Sequence, residues 1–251
     1  MEKEILKNLY FDSALSIAEL VKKLAKSTPS ITKIINRLLE EKIIVECGFA
    51  ESTGGRRPLQ FAINPALNFY ILTISTDQHF STFTLTDLNQ QTIIEHRDVP
   101  LELKSSNSAD LLLDEIESIL ELSGIQRDKI IGIGLSIPGF VNSELGVNES
   151  YPHNHPLYRI KSSIEAKYQI STVIENDSRC IAIAEKEFGS AKDIDHSLII
   201  NLNWGVGLGI IINGSVFKGE SGFAGEFSHI PLSDDNTLCS CGKRGCLEVE
   251  A

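Results

Sequence analysis

Gly222-Phe223-Ala224-Gly225-Glu226-Phe227-Ser228-His229, with Cys239-Ser240-Cys241-Gly242-Lys243-Arg244-Gly245-Cys246-Leu247-Glu248 beginning ten residues after His229, is the stretch that decides the fold. It sets three cysteines within eight residues, and Gly242 and Gly245 permit the turns that aim all three sulfurs inward. Tetrahedral zinc needs a fourth donor, which His229 can supply. His229, Cys239, Cys241 and Cys246 are therefore expected to form a closed, structural zinc site with no open position for hydrolysis. The alternative is a metal-free loop of three reduced thiols, which would leave clustered reactive groups. Five cysteines in all, an odd number, argue against a disulfide framework.

Composition narrows the class. The 251 residues are 42% hydrophobic and 23% charged, enough for a substantial core, and Gly and Pro usage excludes a collagen-like or disordered chain. No run approaches the roughly 18 apolar residues of a membrane span, and Met1-Glu2-Lys3-Glu4 does not open a signal peptide, so a cytoplasmic protein is expected. The net charge of −11 is unevenly spread. Residues 1–66 carry ten Lys/Arg and eight Asp/Glu, a net of +2, and the remainder carries −13. A mildly basic head on an acidic body suits a DNA-reading module joined to a small-molecule domain.

In the head, Ile5, Leu6 and Leu9 recur at helical spacing. Ile17, Leu20, Val21 and Leu24 form a second stripe behind Ser16, a candidate N-cap. A third stripe, Ile31, Ile34, Ile35, Leu38 and Leu39, follows Ser27, expected to offer its cap oxygen, and Pro29 in the first turn. A strand from Ile43, a turn-rich segment from Gly48 to Arg57 and a strand at Leu59–Ile63 complete a winged helix-turn-helix pattern over 1–66. In such a module the third helix enters the major groove. Thr28, Ser30, Thr32, Lys33, Asn36 and Arg37 would then face bases and phosphates, and Arg56 and Arg57 of the wing would enter the minor groove or clamp the backbone. A winged-helix module for protein contacts is the competing reading.

Beyond Asn64-Pro65 strands and helices alternate, which argues an α/β domain with a partly parallel sheet. Strands are expected at Tyr70–Ile74, Ser81–Leu85, Thr92–His96, Ile130–Leu135, Thr172–Ile174, Ser197–Leu202, Gly207–Ile212 and Ser215–Phe217. Helices are expected at 109–122, 160–168 and 178–188.

The chain resembles the ROK family (repressor, open reading frame, kinase), in its repressor branch. The resemblance is carried by Gly54-Gly55-Arg56-Arg57-Pro58, Ser136-Ile137-Pro138-Gly139, Glu175-Asn176-Asp177, Gly222 to His229 and Cys239 to Glu248, in family order. It implies an actin-like, ribonuclease H-like two-lobed sugar-kinase fold behind the head, with a first lobe at 67–190 and the start of a second at 191–251. The second lobe is expected to be incomplete, because family members continue past Glu250-Ala251. The resemblance further implies that Asn176, Asp177, Glu226, His229 and Glu248 contact sugar hydroxyls, with His229 also on zinc. Taken alone, Asn176-Asp177 could simply cap a helix.

In a family kinase Asp177 would be the base that deprotonates the attacking hydroxyl. The phosphate-binding loops are degenerate here. Ser75-Thr76-Asp77-Gln78-His79 stands where kinases resemble Asp-x-Gly-Gly-Thr, and Trp204 and Leu208 replace small residues in the second loop. Kinase activity is therefore not expected. The expected function is a sugar-responsive DNA-binding regulator, a repressor of carbohydrate catabolism genes, with a sugar or sugar phosphate between the lobes. It would act as a homodimer or tetramer on double-stranded DNA and away from membranes. The alternatives are a sugar kinase with an unusual phosphate site, and a DNA-binding scaffold with a vestigial sugar lobe.

Overall fold

The computed structural model of the protein describes residues 1–49, 57–203, 205–234, 236–239 and 241–250, the side chains of Glu95 and His96 excepted. The chain divides into two compact units, Met1–Tyr70 with Thr86–Ile93, and Ile71–Leu85 with Ile94–Ala251.

The first unit holds α1 (Glu2–Asp12), β1 (Leu15–Ser16), α2 (Ile17–Leu24), α3 (Thr28–Glu40), β2 (Ile44–Phe49) and β3 (Leu59–Ile63). Each helix buries its apolar stripe in one cluster, and Ile5, Leu20, Ile31, Ile35 and Leu38 are wholly inaccessible. Burial of each such side chain stabilises the unit by about 1.5–3 kcal/mol. Ser16 caps α2 reciprocally: its Oγ accepts from Glu19 N at 3.3 Å, and Glu19 Oε2 accepts from Ser16 N at 2.7 Å.

The expected cap at Ser27 is not made. Ser27 is the N-cap of α3, but its hydroxyl lies 2.9 Å from Ser30 Oγ and binds no helix N–H. Pro29, two residues on, has removed the first of the two amides such a cap would bond. The sheet also has three strands rather than two, in the order β1-β3-β2. Two-residue β1 pairs Leu15 with Phe61 and Ser16 with Gln60, too short a segment to show alternation. The wing tip, Arg56 included, lies outside the described residues.

The second unit is α/β. Strands β4 (Tyr70–Thr76), β5 (Phe80–Asp87), β6 (Thr92–Pro100), β7 (Ile130–Ile137) and β10 (Thr172–Asn176) form one sheet in the order β10-β7-β4-β5-β6. β10 runs parallel to β7, with Asn176 opposite Ile137. Helix α4 (Ser108–Ser123) precedes β7 and α5 (Ile160–Tyr168) precedes β10. Between β7 and α5 lies a short hairpin, β8 (Val141–Asn142) with β9 (Val147–Asn148), which alternation could not reveal. The β5–β6 turn belongs to the first unit. Asp87 Oδ1 accepts from the N–H of Asn89 and of Gln91, Leu88 packs on that unit's core, and Gln90 Nε2 donates to Tyr10 O.

After β10 the chain enters α6 (Asp177–Glu187), one residue earlier than expected, and then the antiparallel sheet of β11 (Ser197–Leu202), β12 (Val206–Ile212) and β13 (Ser215–Val216). The short α7 (Leu247–Glu250) follows the cysteine loop. Among the described residues no helix is long and apolar enough to cross a membrane.

The two serine caps should separate in stability. Ser16→Ala is expected to destabilise the first unit by about 1 kcal/mol in urea unfolding, and Ser27→Ala by well under half of that. Equal losses would mean that Ser27 does cap α3.

Candidate functional site

A cleft of ≈ 260 Å³ in the second unit collects residues from distant parts of the chain. Asp77, Lys104, Tyr151, Asn176, Asp177, Asn201, Glu226, His229 and Glu248 all line it. The five residues expected at a sugar site, Asn176, Asp177, Glu226, His229 and Glu248, are thus brought together.

Asn176 and Asp177 stand where β10 hands over to α6. Asn176 Oδ1 accepts from Arg179 N at 3.1 Å, so its capping role is real, while its Nδ2 donates to Asp177 Oδ1 at 3.0 Å. Asn201 Nδ2 reaches Ser178 Oγ at 3.2 Å and Asp177 Oδ2 at 3.5 Å. Burial raises the Asp177 pKa above the usual range, and hydrogen bonds from Ser178 and Asn176 only partly offset it. The walls of the cleft likewise strip water from Glu226 and raise its pKa, against the opposing pull of His229 and Arg179.

The loops that read as degenerate phosphate sites are filled by the chain itself. Asp77 Oδ1 accepts from both His79 N and Phe80 N at 2.7 Å, so these two amides of the β4–β5 turn are taken. Glu248 Oε2 accepts from Val206 N at 3.2 Å at the start of β12. The glycines nearby are in use too. A Cβ on Gly207 would lie 1.8 Å from Ser178 Oγ, and one on Gly209 would lie 2.2 Å from Ala182 Cβ, so both admit α6 against β12. Trp204 lies outside the described residues.

His229, Cys239, Cys241 and Cys246 converge, with their ligand atoms all within 4.8 Å of one another. His229 Nδ1 is 3.5 Å from Cys239 Sγ, and Cys241 Sγ is 3.7 Å from Cys246 Sγ. A tetrahedral zinc with Zn–S bonds of about 2.3 Å would have sulfur–sulfur edges of about 3.8 Å, so these donors fit a metal ion. Gly242 and Gly245 take φ of +86° and +66° in this loop, the left-handed turns its closure needs.

Sequence reasoning missed the polar frame behind the cleft. Glu175 pairs with Lys218 Nζ at 2.6 Å and Arg179 Nε at 2.8 Å, and accepts from Ser143 Oγ at 2.7 Å. Burial alone would raise its pKa, but Lys218, Ser143 and the Asn176 N–H hold it below the usual range. Arg179, 4% exposed, also donates to Val141 O at 2.6 Å and to Gly222 O. An arginine in the first turn of α6, directly before the apolar run Cys180–Ala184, was the available signal. Asn201, on β11, had none.

In the first unit, Thr28, Lys33, Asn36 and Arg37 of α3 are exposed, and Ser30 and Thr32 are half-buried. Thr32 Oγ1 donates to Thr28 O at 2.9 Å, Ser30 faces Ser27, and Arg37 pairs with Glu2 and Glu41. Arg57 is exposed.

Residues 73–251 match the ROK family. The xylose repressor of Bacillus subtilis (strain 168) is 33% identical over 250 residues, 99% of this chain and 64% of the relative. NagC of Escherichia coli (strain K12), a DNA-binding transcriptional dual regulator, is 30% identical over 224 residues, 88% of this chain and 55% of the relative. The crystal structure of a ROK family transcriptional regulator, a homologue of the E. coli MLC protein, has a TM-score of 0.73 at 30% identity, covering 94% of this chain and 60% of that one. The chain thus spans less than two thirds of the length of these relatives.

Asp177 carries a stability penalty that can be read out. With its pKa raised by burial, the folded state binds the proton more tightly than the unfolded state, so this residue lowers stability as pH rises above the ordinary aspartate range. Asp177→Asn is expected to raise the neutral-pH melting temperature. The gain should shrink toward pH 4. A lower melting temperature at neutral pH would contradict it.

Proposed function

The chain belongs to the ROK family, and from that premise we propose that it is a sugar-responsive, DNA-binding transcriptional repressor of carbohydrate catabolism. The observation that carries the reading is the contrast inside one cleft. The hydroxyl-binding set of Asn176, Asp177, Glu226, His229 and Glu248 converges there, while the turns that would hold nucleotide phosphates are closed by Asp77 and Glu248. Carboxylates and amides suit vicinal hydroxyls and discriminate against analogues that lack them. The similarity to a xylose repressor and to NagC supports a sugar or sugar phosphate as effector.

The first unit, with three helices and a small sheet, is read as the winged helix-turn-helix. α3 would lie in the major groove, presenting Thr28, Ser30, Thr32, Lys33, Asn36 and Arg37, with Arg56 and Arg57 on the wing. Arg37 would have to leave Glu2 and Glu41 to reach DNA. Two such heads in a homodimer or tetramer would read half-sites about 34–36 Å apart or a multiple of that. The chain would work in the cytoplasm.

His229, Cys239, Cys241 and Cys246 would hold a structural zinc ion, which supplies a fixed cross-link rather than a reactive centre. With Nδ1 turned to the sulfurs, the His229 ring is held in one orientation at the cleft wall. Glu226 and Glu248, on either side of the loop, then keep their places relative to it. Asp177 serves as an acceptor for a sugar hydroxyl, and without a phosphate seat its basicity drives no transfer.

Sugar-dependent release of operator DNA tests this reading, and ATP consumption over a panel of hexoses tests the kinase alternative. Release without turnover is expected, and robust turnover would overturn the repressor reading. Arg56→Ala with Arg57→Ala should weaken DNA binding roughly uniformly across sequences and reduce the salt slope by about 2. Metal analysis should find one zinc per chain, and Cys241→Ser should lose it together with the sugar response. Normal sugar binding by metal-free wild type would refute that coupling.

A further inference from the structure

The cleft is rich in negative charge and poor in positive charge. Among the described residues four carboxylates line it, Asp77, Asp177, Glu226 and Glu248, against one lysine, Lys104, which is exposed. Arg179 and Lys218 are both committed to Glu175, and Lys243 and Arg244 of the cysteine loop donate to the carbonyls of His229 and Asn236. An incoming anion would therefore meet uncompensated like charge on several sides.

Three places where the backbone could offer N–H groups to an anion have side chains on them instead. The β4–β5 turn gives the N–H groups of His79 and Phe80 to Asp77 Oδ1, each at 2.7 Å. The start of β12 gives Val206 N–H to Glu248 Oε2 at 3.2 Å. The N-terminus of α6, the third such place, gives Arg179 N–H to the Asn176 side chain and carries Asp177 as its first residue. Each seat is filled by a polar or acidic side chain of the protein, and three of the four carboxylates take part in filling them. The remaining donors and acceptors, amides and carboxylates beside the Tyr151 ring, match neutral hydroxyls.

We propose that the cleft takes an uncharged monosaccharide and excludes the phosphate esters of that sugar, so that the effector is a free sugar rather than a phosphorylated one. This rests on reading the cleft as the sugar site. Lys104 does not reverse the balance, because one hydrated ammonium in the open is screened and faces four carboxylates.

The test is calorimetry on the full, zinc-loaded chain, with aldopentoses, aldohexoses and 2-acetamido sugars each paired with its terminal phosphate ester. The expected result is binding of at least one free sugar, with its ester at least tenfold weaker and the gap narrowing as salt rises. Asp77→Asn keeps a carbonyl oxygen for the turn and removes one charge, so it should reduce the ratio of free-sugar to ester affinity several-fold. Lys104→Met should leave that ratio unchanged or larger. An ester that binds as tightly as its free sugar, or tighter, overturns the inference and leaves the sugar site standing. Binding of neither form by any pair overturns the sugar-site reading, and this inference with it.

Discussion

The approach of α6 to β12 sets the geometry on which the cleft depends. It is close because Gly207 and Gly209 present no Cβ to Ser178 and Ala182, with which any side chain at those positions would overlap. That approach brings Asn201 within reach of Asp177 and Ser178. It also sets Val206 where Glu248 can cap its amide. A larger residue at 209 would push the helix off the sheet, because close-packed interiors do not absorb such a volume without backbone movement.

The same glycines account for what became of the loop that reads as a phosphate site in sequence. In sequence, Gly205-Val206-Gly207-Leu208-Gly209 reads as an eroded phosphate loop. In the structure those glycines are consumed by internal neighbours: a Cβ on Gly205 would lie 2.6 Å from Glu248 Oε1. Asp77 does the same to the β4–β5 turn, satisfying the His79 and Phe80 amides with a carboxylate. Free backbone N–H groups are what anion binding requires, and those of His79, Phe80 and Val206 are already paired. The polar frame around Glu175 complements this, since it draws Arg179 and Lys218 away from the cleft.

A regulator needs two states that its ligand binds with different affinity. The side chains that would provide it come from chain segments far apart, 77, 176–177, 226–229 and 248, so a ligand touching all of them favours the arrangement in which they converge. The sulfur cluster restrains one of those segments, because His229 is shared between the cleft and the cysteine loop.

The sequence by itself determined the elements whose periodicity is strong and the motifs whose residues are rare. The stripes of α1, α2 and α3, the N-cap at Ser16, the α/β character beyond residue 66 and the gathering of His229 with three cysteines were all legible, because each rests on local spacing or on chemistry with few substitutes. The first of these left its mark in wholly buried Ile5, Leu20 and Ile35. Only the tertiary structure decided the partners. Ser27 lost its cap to the amide missing at Pro29, β1 formed because β3 was there to pair with, and Arg179 found Glu175, Val141 and Gly222 across 4 to 43 residues of chain. A hydrogen bond or ion pair depends on distances in space, and those distances are set by the packing of whole elements, which no window of sequence contains.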